Sequence, residues 1–165
     1  MNRPGSSALP VRLRPLDLPG DIDRAVPWYS DPDVLFFSEG PGVLPFDRTR
    51  IENMYRWLST RGQVFIIEVL DGQWLPVGDA SLCENLMPIV IGDSRYQNRG
   101  VGSQVLRLLI EKAQELGWSH LIAHQIYSYN IRSIKLFEKF GFTKTETGIN
   151  KQGQEFFRYE KWLRD

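Results

Sequence analysis

Two glycines, Gly100 and Gly102, stand just before a segment with helical periodicity in the stretch YQNRGVGSQ, residues 96–104. Where a strand enters a helix through a glycine-rich turn, backbone N–H groups are left without partners and point along the positive end of the helix dipole. Such a turn binds phosphate oxygens, because the missing side chains let the main chain approach a pyrophosphate closely. The pair predicts a diphosphate site at the start of this helix, with an ordinary tight turn as the simpler alternative.

The spacing around the glycines disfavours two common phosphate motifs. A P-loop requires lysine and then Ser or Thr after its last glycine, whereas Gly102 is followed by Ser103 and Gln104. A dinucleotide fingerprint requires a third glycine where this chain has Val105, and it normally lies in the first βα turn of its fold. A Walker A site is rejected, and a Rossmann oxidoreductase fits poorly.

The pattern that remains is Gln-x-x-Gly-x-Gly, residues 97–102, and here the chain resembles the GCN5-related N-acetyltransferase (GNAT) family. In that family the motif lies between the fourth strand and the following helix and holds the pyrophosphate of acetyl-coenzyme A. The stretch YNIRSIKLFEKFGF, residues 129–142, is similar to the family's Asn-initiated short helix. The resemblance implies an α/β (α+β) GNAT fold, with a central mixed, mostly antiparallel sheet flanked by helices.

The same resemblance implies acetyl-CoA as cosubstrate, no metal, and a pantetheine arm that runs beside residues 89–93. A backbone N–H of Val90 or Ile91 would stabilise the oxyanion. Asn130 would cap its helix, bind coenzyme A, or do both. The cofactor-binding residues that the resemblance implies are Val90, Ile91, Gln97, Asn98, Arg99, Gly100, Val101, Gly102, Ser103, Asn130 and Phe137.

Acetyl transfer to an amine also needs a proton acceptor, because alkyl amines with a pKa near about 10.4 are almost fully protonated at neutral pH. Some relatives use a carboxylate near the fourth strand, but LMPIVI, residues 86–91, contains no acid. Glu84 and Asp93 on either side are the nearest candidate bases, and Asp79 is a third. Each also has a simpler interpretation as a solvated loop charge.

The leaving thiolate is often protonated in relatives by a tyrosine of the short helix, and Phe137 occupies that place here. Tyr127 is the candidate acid in its stead, with Tyr129 second, although both are also expected as packing residues. A thiol with pKa near about 8.5 leaves tolerably without an acid. Phe137 and the acid-free strand keep a non-catalytic coenzyme A-binding module open as the alternative function.

Composition limits the partners. The 165 residues are 42% hydrophobic and 12% aromatic, which predicts one domain over residues 11–165 after a flexible segment 1–10. Twenty basic and twenty acidic residues favour neither nucleic acid nor a membrane. One cysteine, Cys83, excludes an internal disulfide and fits a cytoplasmic protein. His120 and His124 lack neighbouring acidic or cysteine ligands, so no metal site is expected.

The elements that must position these residues follow from periodicity and turn signals, in the order β-α-α-β-β-β-α-β-α-β-β. Residues 30–46 are expected to form a loop. An amine acceptor is expected to bind against residues 31–46 of this loop and residues 148–154. That acceptor is an aminoglycoside-like or polyamine-like molecule or a protein amine, and the resemblance makes a homodimer plausible. The predicted strands are residues 11–17, 64–70, 74–82, 86–93 and 120–127 with a closing hairpin at 143–163, and the helices are 21–29, 47–62, 103–117 and 131–142.

Overall fold

The computed structural model describes residues 8–164, so most of the segment predicted to be flexible, residues 1–7, lies outside the described residues. Within these residues, seven strands, five α-helices and two 3₁₀ turns follow one another. The strands are β1 (Val11–Pro15), β2 (Gly62–Asp71), β3 (Gln73–Cys83), β4 (Ile89–Ile91), β5 (His120–Tyr127), β6 (Thr143–Ile149) and β7 (Glu155–Trp162). The helices are α1 (Gly20–Ala25), α2 (Pro32–Ser38), α3 (Arg48–Ser59), α4 (Val101–Glu115) and α5 (Ile131–Lys139).

The strands form two antiparallel sheets, one in the order β1-β2-β3-β4 and one in the order β5-β7-β6. The predicted β2–β3 hairpin is confirmed, with Asp71 paired to Gln73 and Gly72 at a φ of 76°. The closing hairpin of β6 and β7 is confirmed as well. Within the described residues β4 and β5 share no ladder, so each sheet leaves one edge free toward the other.

Strand β2 is buried on both faces, which explains its nearly unbroken apolar run. Ile67 belongs to a core cluster that also includes residues of β5, α4 and β7, whereas Ile66 belongs to a second cluster with α1, α2 and α3. Successive strand side chains point to opposite faces, so neighbouring residues serve different cores. The first cluster joins the two sheets through α4 and thereby fixes where β4 stands relative to β5.

Helix α4 confirms the predicted amphipathic helix but begins two residues earlier than the periodicity indicated. Its buried residues recur at helical spacing, and Gly117 follows its end at a φ of 78°. The buried set is Val101, Val105, Leu106, Leu109, Ile110 and Ala113.

The prediction of a loop over residues 30–46 is wrong in its first part, where the chain forms α2. The Asp31 side chain accepts a hydrogen bond from the Asp33 N–H and caps this helix. Pro32 occupies its first turn, where proline costs nothing because the N–H there has no helical partner. The predicted helix over 21–29 is split by Pro27 into α1 and a 3₁₀ turn at Trp28–Ser30.

None of the helices in the described part of the chain has the length and apolar character of a membrane-spanning helix.

Candidate active site

The glycine-containing turn before α4 holds two residues in the left-handed region of φ. Asn98 has a φ of 59°, and Gly100, the N-cap of α4, has a φ of 79°. No side chain caps this helix, and within residues 8–164 the backbone N–H groups of residues 98–103 donate no hydrogen bond to the protein. The start of α4 therefore presents free donors at the positive end of the helix dipole.

The structural requirement for glycine differs between the two glycines of the turn. Gly100 needs to be glycine because of its positive φ, while open space surrounds the position that its Cβ would take. A Cβ on Gly102 would meet Leu136 at 3.4 Å, an ordinary contact, so nothing within the protein forbids a side chain there. Gly102 would be required as glycine only if a ligand lay against the turn.

A cavity of about 450 Å³ opens between the free edges of β4 and β5. Its lining runs from the turn at Asn98 and Gly100, past Ile91, to the end of α2 at Ser38. The unpaired N–H groups thus open into a cleft whose walls are the edges of two sheets.

The register of β4 decides which of its N–H groups faces that cleft. Val90 pairs with Asp79, and backbone bonds on either side involve the N–H groups of Ser81 and Gly92. Hydrogen-bonded and non-bonded pairs alternate in an antiparallel ladder, so the N–H of Val90 is used within the sheet. Ile91 turns its N–H away from β3. Of the two predicted oxyanion donors, the register favours Ile91.

Gln97, the first residue of the motif, holds the turn against the strand. Its Nε2 donates to the carbonyl oxygen of Ile91 at 2.9 Å, and its side chain also lines the cleft. That carbonyl points away from β3, in agreement with the direction of the Ile91 N–H. Gln97 thereby fixes the distance between the free donors of α4 and the edge of β4.

Two cations stand beside the turn. The Arg132 Nη1 donates to the Asn98 Oδ1 at 3.0 Å, and the Lys139 Nζ lies 3.4 Å from the Ser103 Oγ. Both come from α5, which packs across the start of α4. In a chain with no net charge, these cations make the turn locally attractive to anions.

Helix α5 contributes its first residues and its apolar face to the cleft. The Asn130 Oδ1 accepts a hydrogen bond from the Ser133 N–H at 3.3 Å, which confirms the predicted cap, and Asn130 also lines the cleft. Phe137 lines it too and packs edge to face against Phe142. Val101 and Ser103 complete this part of the lining.

Arg99 lies outside the cleft lining. Its Cζ sits 5.3 Å from the centre of the Tyr96 ring, and its side chain is exposed. Of the two interpretations that the sequence left open, this position fits a solvated charge at the rim.

The predicted proton-transfer residues do not come together. Glu84 is exposed and lines a second cavity with Trp57 and Cys83. Asp93 pairs with Arg95 at 2.7 Å, and the hydrogen bonds from Arg95 hold the pKa of Asp93 below its usual value. Neither carboxylate lines the cleft of the glycine turn.

Tyr127, the predicted acid, is buried and donates its hydroxyl to the backbone oxygen of Glu39 at 2.9 Å. Burial raises its pKa, and the nearby Glu39 raises it further. Tyr129 donates in the same way to the carbonyl oxygen of Phe36. Both hydroxyls therefore tie the end of α2 to the end of β5.

Asp79, the third candidate base, lies buried on β3. The hydroxyls of Tyr29 and Tyr55 each donate to its Oδ2 at 2.8 Å. Burial raises the pKa of Asp79 to about 6 against the lowering effect of those hydrogen bonds. Burial, with the charge of Asp79, also raises the pKa of Glu39 to about 7. The carboxyl groups of Asp79 and Glu39 both lie next to α2.

The sequence predicted no role in this cleft for Ser38, His124 and Arg132, which are among its polar lining residues. Ser38 has a buried Oγ without a hydrogen-bond partner among the described residues, His124 stands at an irregularity of β5, and Arg132 follows the helix cap Asn130. Only Arg132 carried a sequence signal, since cations near a phosphate motif are expected. Among the described residues, no three His, Cys, Asp or Glu side chains gather as a metal site requires.

The family of the chain follows from comparison with known proteins. The family model of the acetyltransferase (GNAT) domain matches residues 11–143. This is most of the chain, and the protein belongs to the GNAT acetyltransferase family.

Individual relatives agree with that assignment. The spermine/spermidine N(1)-acetyltransferase of Bacillus subtilis (strain 168) is 40% identical over 50 residues, which cover 30% of this chain and 33% of that protein. The match thus spans about a third of the length of the curated relative.

Solved structures share the fold over nearly the whole chain. The spermidine N-acetyltransferase from Vibrio cholerae, in complex with CoA and spermine, has a TM-score of 0.74 at 17% identity and covers 92% of this chain and 95% of its own. Aminoglycoside acetyltransferase AAC(6')-Ib in complex with coenzyme A has a TM-score of 0.75 at 16% identity and covers 93% and 95%. At such identities the likeness shows the GNAT fold, as the sequence predicted.

Proposed function

We propose that this protein is an acetyl-CoA-dependent N-acetyltransferase that moves the acetyl group directly to a primary amine. One observation carries the proposal. The N–H groups of residues 98–103 have no protein acceptor in the described part of the chain, and they open into the cleft between β4 and β5. Free donors at a helix start match a diphosphate, and Arg132 and Lys139 add positive charge beside them.

The walls of the cleft fit the rest of the coenzyme. The free edge of β4 offers backbone groups to the amides of a pantetheine arm, as a neighbouring strand would. Beyond it, the N–H of Ile91 is directed into the cleft and would stabilise the oxyanion of the tetrahedral intermediate. Phe137 supplies apolar wall. Binding, alignment and charge stabilisation then come from main chain that is already in position.

Direct transfer is favoured over a covalent acetyl-enzyme. Cys83 is buried in the second core cluster, and burial raises the pKa of its thiol. It lies outside the cleft lining, and a protonated thiol is a poor nucleophile. Acetyl-CoA and the amine would therefore have to occupy the cleft together.

The acceptor would enter from the α2 side, where carboxyl groups gather. Asp33 lines that part of the cleft, and Glu39 and Asp79 lie close behind it. A cationic amine is the complementary partner. The relatives named for spermine, spermidine and aminoglycosides act on polycationic amines, which supports a small polyamine-like or aminoglycoside-like acceptor ahead of a protein amine.

Calorimetry with acetyl-CoA and a thiol-release assay test the proposal. The assay panel contains polyamines, aminoglycosides, and peptides with free N-termini or lysines. We expect micromolar acetyl-CoA binding and turnover with at least one amine class. No measurable affinity for acetyl-CoA would remove the proposal.

A second candidate function is a coenzyme A-binding module without catalysis. It is favoured by Phe137, which cannot donate a proton to the leaving sulfur although it lines the cleft. Tight acetyl-CoA binding with no thiol release above background across the whole panel would identify it. Light scattering of the same samples tests the expected homodimer.

A further inference from the structure

His124 occupies an irregular position in β5. Ala123 pairs with Tyr159, and Ile126 pairs with Phe157, so His124 and Gln125 together stand opposite the single residue between them on β7. Two residues opposite one is the arrangement of a β-bulge, which re-aims side chains that a regular strand would bury or stack. Both His124 and Gln125 line the cleft.

The cleft contains few other titratable side chains. Among the described lining residues these are Asp33, Tyr96 and Arg132. Tyr96 donates its hydroxyl to Asp71, which raises its pKa, and Arg132 has no proton to lose near neutrality. Asp33 is exposed in the first turn of α2, suited to attract a cation. His124 is the lining group whose chemistry suits proton transfer at neutral pH.

The surroundings of His124 keep its ring neutral. His124 is exposed at the cleft, but desolvation by its neighbours lowers its pKa below the usual 6.5; Arg158 on β7 lowers it further, and Glu146 on β6 opposes them. The edge of the ring meets the ring of Phe156, with centroids 5.4 Å apart. Arg132 and Asp33 are the charged residues on the rest of the lining. At pH 7 the imidazole has a free nitrogen that can accept a proton.

We propose that His124 accepts the amine proton during acetyl transfer and returns it to the sulfur of coenzyme A. This inference rests on the proposed function. The acceptor reacts as its neutral amine, after its ammonium form has lost one proton to solvent. The amine nitrogen attacks the thioester carbon, the C–N bond forms, and the adduct nitrogen becomes positively charged and strongly acidic. His124 takes one proton from that nitrogen. As the C–S bond breaks, the imidazolium gives the proton to the thiolate.

The scheme resolves two difficulties at once. The strand LMPIVI has no acid to serve as base, and Phe137 cannot serve as acid. One imidazole in the shared cleft can perform both transfers, because the neutral ring accepts a proton from the acidic adduct, and its imidazolium is a stronger acid than a thiol with pKa near about 8.5.

The chain offers its own control. It has two histidines, and His120 on the same strand stands outside the cleft, 2.9 Å from Glu160 and stacked on Trp162 at 4.0 Å. H124Q and H120Q therefore remove one imidazole each from β5. Acetyl-CoA binding, kcat, and the pH profile of kcat are measured for the wild type and both variants, with the best amine of the panel.

We expect H124Q to lower kcat roughly 100-fold or more at pH 7.5, with acetyl-CoA affinity within about threefold of wild type. H120Q should keep kcat within about threefold. The wild-type kcat should fall as the pH drops through the His124 pKa, below 6.5, because a protonated ring cannot accept a proton. This acid limb should vanish in H124Q, and added imidazole should restore part of the kcat of H124A.

Two outcomes would overturn the inference, and only the second would also overturn the proposed function. If the wild type is active and H124Q keeps both its kcat and the acid limb of its pH profile, the role of His124 is excluded and the proposed activity stands. A wild type that binds acetyl-CoA but acetylates no amine would exclude the proposed activity and this role with it.

Discussion

The Arg132 Nη1 donates to the Asn98 Oδ1 at 3.0 Å, and this bond joins the first turn of α5 to the turn before α4. Its guanidinium also lies over the Phe37 ring, with Cζ 5.3 Å from the centroid. One side chain thus contacts the turn, the cleft and α2. The bond holds Asn98 at its positive φ while leaving a cation beside the free N–H groups.

R132Q tests the contribution of that cation. We expect acetyl-CoA affinity to fall about tenfold, about 1.4 kcal/mol, because a charged donor near a diphosphate is replaced by a neutral one. Calorimetry at two salt concentrations measures the loss. R107Q changes an exposed arginine of α4 outside the cleft and should leave affinity unchanged. Equal losses in both variants would contradict a local role.

Gly100 has a matched partner at the other end of the same helix. Gly100 and Gly117 have φ of 79° and 78°, and open space surrounds the Cβ position of each. Valine at either position is strained by at least about 1–2 kcal/mol, so G100V and G117V should lose similar thermal stability. Only G100V should lose acetyl-CoA affinity, by tenfold or more. Retained affinity in G100V would contradict the phosphate-binding role of the turn.

Asp79 should make the free energy of unfolding depend on pH in a defined direction. Its pKa is about 6 in the folded protein against an ordinary 3.8, so the folded state binds its proton more tightly than the unfolded state does. Its contribution to stability is therefore complete below about pH 4 and is lost as the pH rises through 6.

D79N should remove this loss, which amounts to roughly 3 kcal/mol, while its amide oxygen still accepts from the two tyrosines. Urea unfolding from pH 4 to 7 measures it as the difference from wild type. D93N is the control that should run parallel to wild type over this range, because Arg95 lowers the pKa of Asp93 below 3.8 and its contribution to stability is lost only below about pH 4. A D79N profile parallel to wild type would contradict the assignment.

Phenylalanine variants of Tyr127 and Tyr129 test whether these hydroxyls stabilise the fold or take part in catalysis. Each donates to a backbone oxygen at the α2 end, so Y127F and Y129F should each cost about 1 kcal/mol in unfolding free energy. We expect kcat to change less than about threefold in both. A large fall of kcat in Y127F alone would restore the tyrosine predicted from the sequence as the proton donor.

Local patterns predicted the elements well where one residue type or period decides the conformation. An apolar run predicted strand β2, and a helical period predicted the apolar face of α4. The sequence predicted a loop in place of α2, because prolines are typical of breaks in regular structure. Its cap, Asp31 before Pro32, was a local signal that could have corrected the loop.

The sequence by itself determined the turn that we propose binds phosphate, because a positive φ, a helix start and free N–H groups are properties of a few consecutive residues. Tertiary structure alone decided which of the candidate proton-transfer residues line the cleft. Whether Glu84, Asp93, Asp79 or His124 reaches the cleft depends on strand register, a bulge in β5 and the packing of two sheets through α4. Those features depend on contacts between residues far apart in the chain, and the spacing of residues adjacent in sequence does not predict such contacts.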